Sequence, residues 1–291
     1  MYHMSSYFDW NNHLALSYFF AYNRGMKKIT KISTQKQAGR YSVDLDNKFA
    51  FGVAESVLIK YGLAKGRELD ETLIDQIKRD DQVAKAFNTA INYLGHALRT
   101  IKQVKQKLVE KDIPEDIQEQ AIAQLKSLGY LDDANYARHY VATKKLINPK
   151  GPQVIRMDLK QAGVLDIDIN AALETFTYDE QLDIAKKMAT KFANTYKRES
   201  TRVKQQKIIQ ALANKGFSFE IGQTIITELD LSNDQEVELE NVKRQAEKLW
   251  HRHRNMAFSQ RQYKTKTQLY GKGFSSEMID RVMLMIADEP E

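Results

Sequence analysis

A phrase of the form Leu-x-x-x-Gly followed by an apolar residue recurs along the chain, and this recurrence constrains the fold more than any other feature. It occurs at residues 159–164, 212–217 and 269–274, and a weaker copy at residues 108–113 has Asp112 in the glycine position. Successive copies start 51, 53 and 57 residues apart. A period of roughly 50 residues is typical of stacked supersecondary units. The sequence therefore predicts a repeat protein.

Each repeat has the pattern of three helices. In the second repeat, Tyr136 and Tyr140 have the i, i+4 spacing of a first helix, and Pro152 suits the first turn of a second helix. Gly163 then ends the second helix, because a helix that stops in a left-handed residue prefers glycine there. No strand is expected after Asp81.

Residues 27–80 differ from the repeats because their apolar residues alternate with polar ones. Short alternating runs lie at residues 29–34, 41–45 and 49–53, with turn residues between them. Such runs predict a three-stranded β-meander. Helical spacing follows as far as Ile77, and these helices are expected to cover one face of the sheet.

The fold class expected from these patterns is mainly α: tandem three-helix repeats form an elongated curved array, with a small N-terminal α+β cap. The expected segments are an atypical extension, the cap and helical repeats one to four, at residues 1–26, 27–80, 81–131, 132–177, 178–232 and 233–291 respectively.

The first 25 residues hold eight of the 28 aromatic residues of the chain. Their apolar run is shorter than the roughly 20 residues that a membrane span needs, and they lack the features of a signal peptide. We interpret Met26, which directly precedes the first regular pattern, as the biological start. The alternative is a short amphipathic helix that docks elsewhere.

Composition excludes several classes of protein. The 28% of charged residues excludes a membrane protein, and the low counts of Gly (13) and Pro (4) favour helices. The absence of Cys excludes disulfides, thiolate metal sites and cysteine nucleophiles, and it is compatible with a reducing compartment. A net charge of +6 suggests an anionic partner.

The bases are concentrated in particular segments. Residues 186–215 contain nine bases and one acid, Glu199, and residues 241–272 contain nine bases and one acid, Glu247. Because stacking places equivalent helices side by side, these bases are expected to form a stripe that binds an anionic or filament-like partner. Phosphate contacts alone would make such binding salt-sensitive and independent of sequence. The alternative is an ordinary solvated, lysine-rich face.

No catalytic or cofactor motif is present. The chain has no Gly-x-x-x-x-Gly-Lys-Ser/Thr phosphate loop. His251 and His253 have the spacing of metal ligands, but they lie among arginines that disfavour a cation. Asp132 and Asp133 are better suited to capping a helix than to catalysis. We therefore expect a non-enzyme with no cofactor and no metal; a nuclease would need a carboxylate cluster that the sequence lacks.

Two stretches resemble the RecX family in order and spacing. They are Leu128-Gly-Tyr-Leu131-Asp132-Asp133-Ala-Asn-Tyr136-Ala137 and Gly151-Pro152-x-x-Ile155-Arg156-x-x-Leu159-x-x-x-Gly163-Val164. Leu98-Arg99-Thr100 also looks like the Arg-Ser pair that begins the family's first helix. The sequence departs from the family pattern at Thr100, where Ser is usual, at Asp112, where Gly is usual, and at Val154, where Arg is common.

The resemblance implies a negative regulator of the RecA recombinase. Such a protein would bind in the groove of the RecA–DNA filament and inhibit recombinase, ATPase and coprotease activity, thereby modulating DNA repair and the SOS response. The implied partners are the RecA filament and, weakly and without sequence preference, single- or double-stranded DNA. The resemblance further implies a cytoplasmic monomer that does not contact a membrane.

We divide the candidate site residues into two groups. The proposed contact residues are the bases Arg99, Lys102, Lys105, Arg138, Lys144, Lys145, Lys150, Arg156, Lys160, Arg202, Lys204 and Lys207. The proposed packing and capping residues are Leu131, Asp133, Tyr136, Ala137, Gly151, Ile155, Leu159 and Gly163.

The alternative function is that of an architectural DNA-binding protein that needs no RecA. Three-helix units with a basic second helix superficially resemble helix-turn-helix modules. However, few Asn, Gln or Arg side chains are organised for reading bases.

Overall fold

The computed structural model describes residues 25–287, so the expectation about the aromatic N-terminal extension and the start at Met26 lies almost wholly outside the described residues. The chain separates into two compact units, residues 1–132 and residues 133–291. Within the described range there are thirteen helices and four strands, which confirms a mainly helical chain with a small N-terminal sheet.

The sheet of unit 1 is the predicted meander with one short addition. Strands β1 (Lys27–Thr34), β2 (Arg40–Leu45) and β3 (Lys48–Ala54) pair antiparallel in sequence order. A two-residue strand, β4 (Glu68–Leu69), pairs with the free side of β1 and gives the order β3-β2-β1-β4. The sequence pattern did not predict β4, because two residues are too few to show an alternation of apolar and polar side chains.

Helix α1 (Glu55–Lys60) follows the sheet, and helix α2 (Glu71–Leu94) is long enough to serve two cores. Ile74 and Ile77 pack with the sheet, whereas Val83, Ala86 and Ala90 pack with the first helical repeat. The expected boundary between residues 80 and 81 therefore falls inside a continuous helix, because apolar periodicity does not reveal that the partner changes along one helix.

An ion pair lies where α2 passes from one core to the next. Asp81 is 3% exposed, and its carboxylate accepts hydrogen bonds from Arg40 at 2.6 and 3.0 Å and from the Ala54 backbone nitrogen at 2.8 Å. Lys85 lies 2.9 Å from the same carboxylate. Since a buried carboxylate is costly unless it is paired and hydrogen-bonded, this group fixes α2 against β2 and β3.

The first repeat consists of the second half of α2 with α3 (Ile101–Val109) and α4 (Glu115–Ser127). Its core contains Val104, Leu108 and Leu125. Thr100 begins α3 with a capping box in which its hydroxyl and the Gln103 side chain each bond the other's backbone. The family-like position 100 therefore keeps a capping hydroxyl.

Unit 2 contains the remaining three repeats, each of three helices. The helices are α5 (Asp133–Leu146), α6 (Pro152–Gln161), α7 (Asp166–Glu174), α8 (Tyr178–Thr195), α9 (Thr201–Asn214), α10 (Phe219–Glu228), α11 (Gln235–Arg252), α12 (Phe258–Gly271) and α13 (Ser276–Ala287). Repeats two and three share one core, and repeat four has its own.

The glycine of the repeated phrase ends the second helix in a left-handed conformation, as the sequence predicted. The φ angles are 90° at Gly163, 92° at Gly216 and 81° at Gly273. Asp112, which occupies the same place in the weaker copy, also has a positive φ, of 53°. The turn is thus kept in repeat one without a glycine.

Four of the eight proposed packing and capping residues have buried apolar side chains. Leu131, Ala137, Ile155 and Leu159 are buried. Tyr136 stacks on Tyr140 with ring centroids 6.0 Å apart.

Successive second helices in unit 2 meet end to end. The Gly151 nitrogen, at the start of α6, donates to the Lys215 carbonyl at the end of α9 at 2.7 Å, and the Gln153 nitrogen donates to the Gly216 carbonyl at 3.1 Å. A Cβ at Gly151 would overlap the backbone of Gly216 and Phe217, and one at Gly216 would lie 2.6 Å from the Val154 nitrogen. Glycine is required on both sides because two backbones touch.

The next junction has the same polarity with a side chain in place of a backbone nitrogen. Ser200, the N-cap of α9, donates its hydroxyl to the Lys272 carbonyl at the end of α12 at 2.6 Å. A Cβ at Gly273 would lie 2.9 Å from that Ser200 oxygen. Each junction thus joins the end of one second helix to the start of the second helix in the preceding repeat.

Four Gly→Ala variants separate the two reasons for glycine. Gly216 combines a positive φ with close contact, Gly151 has close contact alone, Gly129 has a positive φ alone, and Gly271 has neither. In urea unfolding, we expect Gly271→Ala to be neutral or stabilising by about 0.5–1 kcal/mol and Gly129→Ala to cost about 1–2 kcal/mol. Gly151→Ala should cost at least about 2 kcal/mol, and Gly216→Ala more still. Equal losses at all four positions would contradict the junction.

Removal of Asp81 tests the ion pair beneath α2. Asp81→Ala leaves the Arg40 guanidinium, 10% exposed, without its partner, and we expect a loss of about 3–5 kcal/mol in the free energy of unfolding. The matched control is Lys27→Ala, which breaks the exposed Lys27–Glu71 pair and should cost less than about 1 kcal/mol. Comparable losses for the two variants, measured by urea unfolding, would show that Asp81 has no special role.

Candidate functional site

The second helices carry most of the bases that the sequence analysis proposed as contacts. Helices α3, α6, α9 and α12 together contain eleven Lys and Arg residues and a single acid, Asp158. In unit 2, the end-to-end junctions place α6, α9 and α12 in one succession. We call these three helices the basic row.

Acids on the third helices partly neutralise these bases. Lys105 of α3 lies 2.8 Å from Glu115 of α4, and the equivalent pair 51 residues later joins Arg156 to Asp166 at 3.9 Å. Lys160 lies closer to Asp166, at 2.9 Å. These side chains are largely exposed, and exposed ion pairs contribute only about 0–1 kcal/mol. An anionic ligand could therefore displace the acids at little cost.

Two of the proposed contact bases hold parts of unit 2 together. Lys145 lies 2.6 Å from Glu180 and also donates to the Thr175 carbonyl, so it ties α5 to the start of α8. This hydrogen bond from Lys145 lowers the pKa of Glu180. Lys150 donates to Asp158 at 2.6 Å and so fixes the loop before α6.

Asp158 is the centre of a small polar cluster. Its Oδ2 atom accepts hydrogen bonds from Lys150 and from the Tyr140 hydroxyl, the latter at 2.7 Å. Burial acts to raise the pKa of Asp158, but the hydrogen bonds from Lys150 and Tyr140 outweigh it and leave the pKa below its ordinary value. Burial, followed by the hydrogen bond to Asp158, raises the pKa of Tyr140.

Lys204 does not lie on the surface that the sequence suggested. It is 6% exposed, and its Nζ atom donates to the Asn233 side chain at 2.8 Å. Burial lowers the pKa of Lys204, although Glu238 and other acids oppose the shift. The prediction that Lys204 is a contact residue is therefore wrong. The sequence shows only that Lys204 lies in a run of bases, and it does not show that this residue is on the buried side of α9.

The other proposed contact bases reach the surface in different ways. Arg99 lies over the Tyr93 ring at 4.7 Å, and Lys144 lies over the Tyr140 ring at 5.4 Å. Lys207 lies 2.5 Å from Glu199. The remaining three, Lys102, Arg138 and Arg202, have exposed side chains.

A lysine-lined groove in unit 2 was not singled out by sequence reasoning. It has a volume of about 450 Å³, and Lys187, Lys191 and Lys215 lie around an apolar floor that includes Ile184 and Met188. The i, i+4 spacing of Lys187 and Lys191 was the available signal. Lys215 completes the groove and takes part in the α6–α9 junction. Local spacing along the sequence does not encode that junction.

Two further features concern metal ions and membranes. Within residues 25–287, no group of three or more His, Asp or Glu side chains is placed to hold a metal ion. His253 is buried, whereas His251 is exposed and lies against Arg254. None of the helices in that range is long and apolar enough to cross a bilayer.

Family models match the chain in the order of its structural parts. The model described as the regulatory protein RecX N-terminal domain matches residues 27–70. Those for the first and second RecX three-helix domains match residues 86–125 and 132–173. The model of the third domain matches twice, at residues 179–226 and 236–283. Repeat four is therefore similar to a second copy of the third domain.

Curated relatives are similar over nearly their whole length. Regulatory protein RecX of Leuconostoc mesenteroides is 62% identical over 258 residues, covering 89% of this chain and 97% of the relative. That of Leuconostoc citreum is 63% identical over 264 residues, covering 91% and 99%. That of Bacillus subtilis is 35% identical over 259 residues, covering 89% and 98%.

Two solved structures are also similar. A crystal structure of regulatory protein RecX has a TM-score of 0.63 and 42% identity, covering 69% of this chain and 99% of that one. RecX from Lactobacillus salivarius has a TM-score of 0.50 and 43% identity, covering 52% and 99%.

The polar cluster at Asp158 generates a prediction about acid stability. Because the folded pKa of Asp158 lies below the unfolded value of about 3.9, its contribution is complete above that value and is lost as the pH falls through the folded pKa. We expect Asp158→Asn to be less stable than the parent at pH 7, with a difference that shrinks towards about pH 3. Urea unfolding across this range measures it. Glu174→Gln, at an exposed acid, should show no such convergence.

Proposed function

The chain belongs to the RecX family, and we propose that it is a negative regulator of RecA that binds the groove of the RecA–DNA filament. There it inhibits recombinase, ATPase and coprotease activity and so modulates DNA repair and the SOS response. Two facts support the proposal: the relatives are named regulatory proteins, and the basic row of unit 2 suits a polyanionic, repetitive partner.

The succession of α6, α9 and α12 is the observation that carries the proposal. A filament presents the same acidic and phosphate groups at regular intervals, and a row of consecutive helices meets them with bases from each helix. Each contact is weak on its own, but contacts on one chain add through effective concentration. Arg156, Lys160, Arg202 and Lys207 are the row's proposed contacts.

In unit 1, Arg99, Lys102 and Lys105 are the corresponding proposed contacts. Arg138 and Lys144 on α5 are two further proposed contacts in unit 2. We assign Lys145, Lys150 and Lys204 instead to holding the repeats together, since each is engaged within unit 2. Partner contact and internal support are thereby separate roles for bases that the sequence alone does not distinguish.

The proposed mechanism is steric and electrostatic and includes no catalytic step. A monomer that occupies the groove in the cytoplasm excludes the second DNA and the substrates of the coprotease, and it opposes the rearrangements that accompany ATP hydrolysis. DNA adds a weak, sequence-independent contribution through its phosphates.

RecA-dependent ATP hydrolysis on single-stranded DNA, titrated with this protein at two salt concentrations, tests the proposal. We expect substoichiometric inhibition by the parent chain. The variant Arg156→Glu with Lys160→Glu reverses two bases of the row, and we expect half-inhibition to require roughly 10-fold more protein or more. Both side chains are exposed, so the fold should persist.

The matched control is Lys65→Glu with Lys111→Glu, which makes the same change in net charge at exposed positions of unit 1 outside the second helices. It should inhibit like the parent. No inhibition by the parent, together with salt-sensitive binding to naked DNA, would instead favour the RecA-independent architectural protein. Equal inhibition by all three chains would remove the basic row from the mechanism.

A further inference from the structure

Aromatic side chains distinguish the second helix of repeat four from the others. Helix α12 contains Phe258, Tyr263 and Tyr270, whereas α3, α6 and α9 contain no Phe, Tyr or Trp. The residues of α9 that lie 57 positions before the two tyrosines are Gln206 and Ala213. The aromatic residues are therefore a property of repeat four, not of the repeat pattern.

Both tyrosines lie on the exposed side of α12. Tyr263 is 73% exposed and Tyr270 is 58% exposed. Seven residues are close to two helical turns, so the two side chains leave the same side of the helix about 10 Å apart along its axis. Thr267, between them on that side, is also exposed and too small to cover either ring.

The side chains beside the rings carry positive charge, and one of the bases is available to a ligand. Helix α12 contains no acid. Two of its bases are engaged: Lys266 lies 2.7 Å from Asp280, and Arg261 lies 4.0 Å from the Trp250 ring. Lys264, adjacent to Tyr263, is exposed and has no ion pair within residues 25–287.

We propose that Tyr263, Lys264 and Tyr270, here called the tyrosine face, form a binding site for single-stranded nucleic acid. Unpaired bases stack on the two rings, and the Lys264 ammonium contacts a backbone phosphate. Stacking on aromatic rings is tolerant of sequence because every base has a π-face, and it requires bases that are not already paired in a duplex. The inference deepens the DNA contact of the proposed function and rests on it for its role in the filament.

The chemistry of the face favours this ligand over others. A duplex presents phosphates to Lys264 but keeps its base faces stacked, so it leaves the rings unused. An amphipathic helix or a proline-rich peptide docks in a groove, whereas the two rings stand on the open surface of one helix. Only a flexible strand with free bases uses both the rings and the lysine.

Fluorescence anisotropy of labelled oligo(dT) with the full chain measures the site directly. Each ring stacked on a base should contribute enough that Tyr263→Ser with Tyr270→Ser weakens binding by at least about 10-fold. Tyr263→Phe with Tyr270→Phe keeps the rings and should bind like the parent. The aromatic control is Tyr130→Ser, since Tyr130 is 56% exposed but belongs to no second helix; its binding should not change.

Salt dependence and a second probe separate stacking from charge. Lys264→Gln should make the negative slope of the logarithm of the binding constant against the logarithm of the salt concentration shallower by about 0.7. The serine variant should keep the parent's slope and bind with lower affinity. An abasic strand of the same length should bind the parent as weakly as oligo(dT) binds the serine variant. A duplex should likewise gain nothing from the tyrosines.

Parent-like binding of oligo(dT) by the serine variant would overturn the tyrosine face, as would equal binding of abasic and thymine strands by the parent. The RecA assay gives an independent readout. Failure of the parent to inhibit RecA, with ring-dependent oligo(dT) binding intact, would refute the proposed function and leave the tyrosine face standing. Inhibition with ring-independent binding would refute the tyrosine face alone.

Discussion

The hydrogen-bonded junction between consecutive second helices is the constraint on which the arrangement of unit 2 depends. An α-helix leaves four N–H groups at its start and four carbonyls at its end without partners. At the start of α6, the backbone nitrogens of Gly151 and Gln153 donate to the carbonyls of residues 215 and 216 at the end of α9. The partial charges of the two helix ends are also opposite, so the contact is favourable electrostatically. Backbone meets backbone at this junction, and at the next one the Ser200 hydroxyl replaces the donating nitrogen.

The candidate site follows from this constraint. Helices α6, α9 and α12 follow one another end to end, and together they contain eight bases and a single acid, Asp158. Acids on the third helices, such as Asp166, moderate this charge without burying it. The candidate site is thus a distributed surface with weak, exchangeable ion pairs, and it differs physically from a concave pocket with a few fixed polar groups.

Sequence patterns predicted what depends on neighbours along the chain and failed where distant segments meet. The glycine phrase predicted the helix ends, and even Asp112 keeps the left-handed turn. The meander was readable because alternation is local. By contrast, the sequence around Gly151 does not show that Gly216 contacts it, and the sequence around Asp81 does not show that Arg40 pairs with it. Lys204 is identical in type to its exposed neighbours, so only the packing of α9 against the segment around Asn233 identifies it as buried.

The polarity of the junction also bears on how such a chain lengthens in evolution. In each added repeat, the end of the second helix contacts the start of the second helix in the preceding repeat. The start of the added second helix can then be contacted in the same way by a further repeat. In repeat four, α12 begins after Ala257 with no side-chain cap, and the same family model matches repeats three and four. A tandem gene duplication at the 3′ end therefore needs no new interface to be invented, because the duplicated segment carries both halves of the joint. Repeat number is accordingly an inheritable variable that selection can change in whole units.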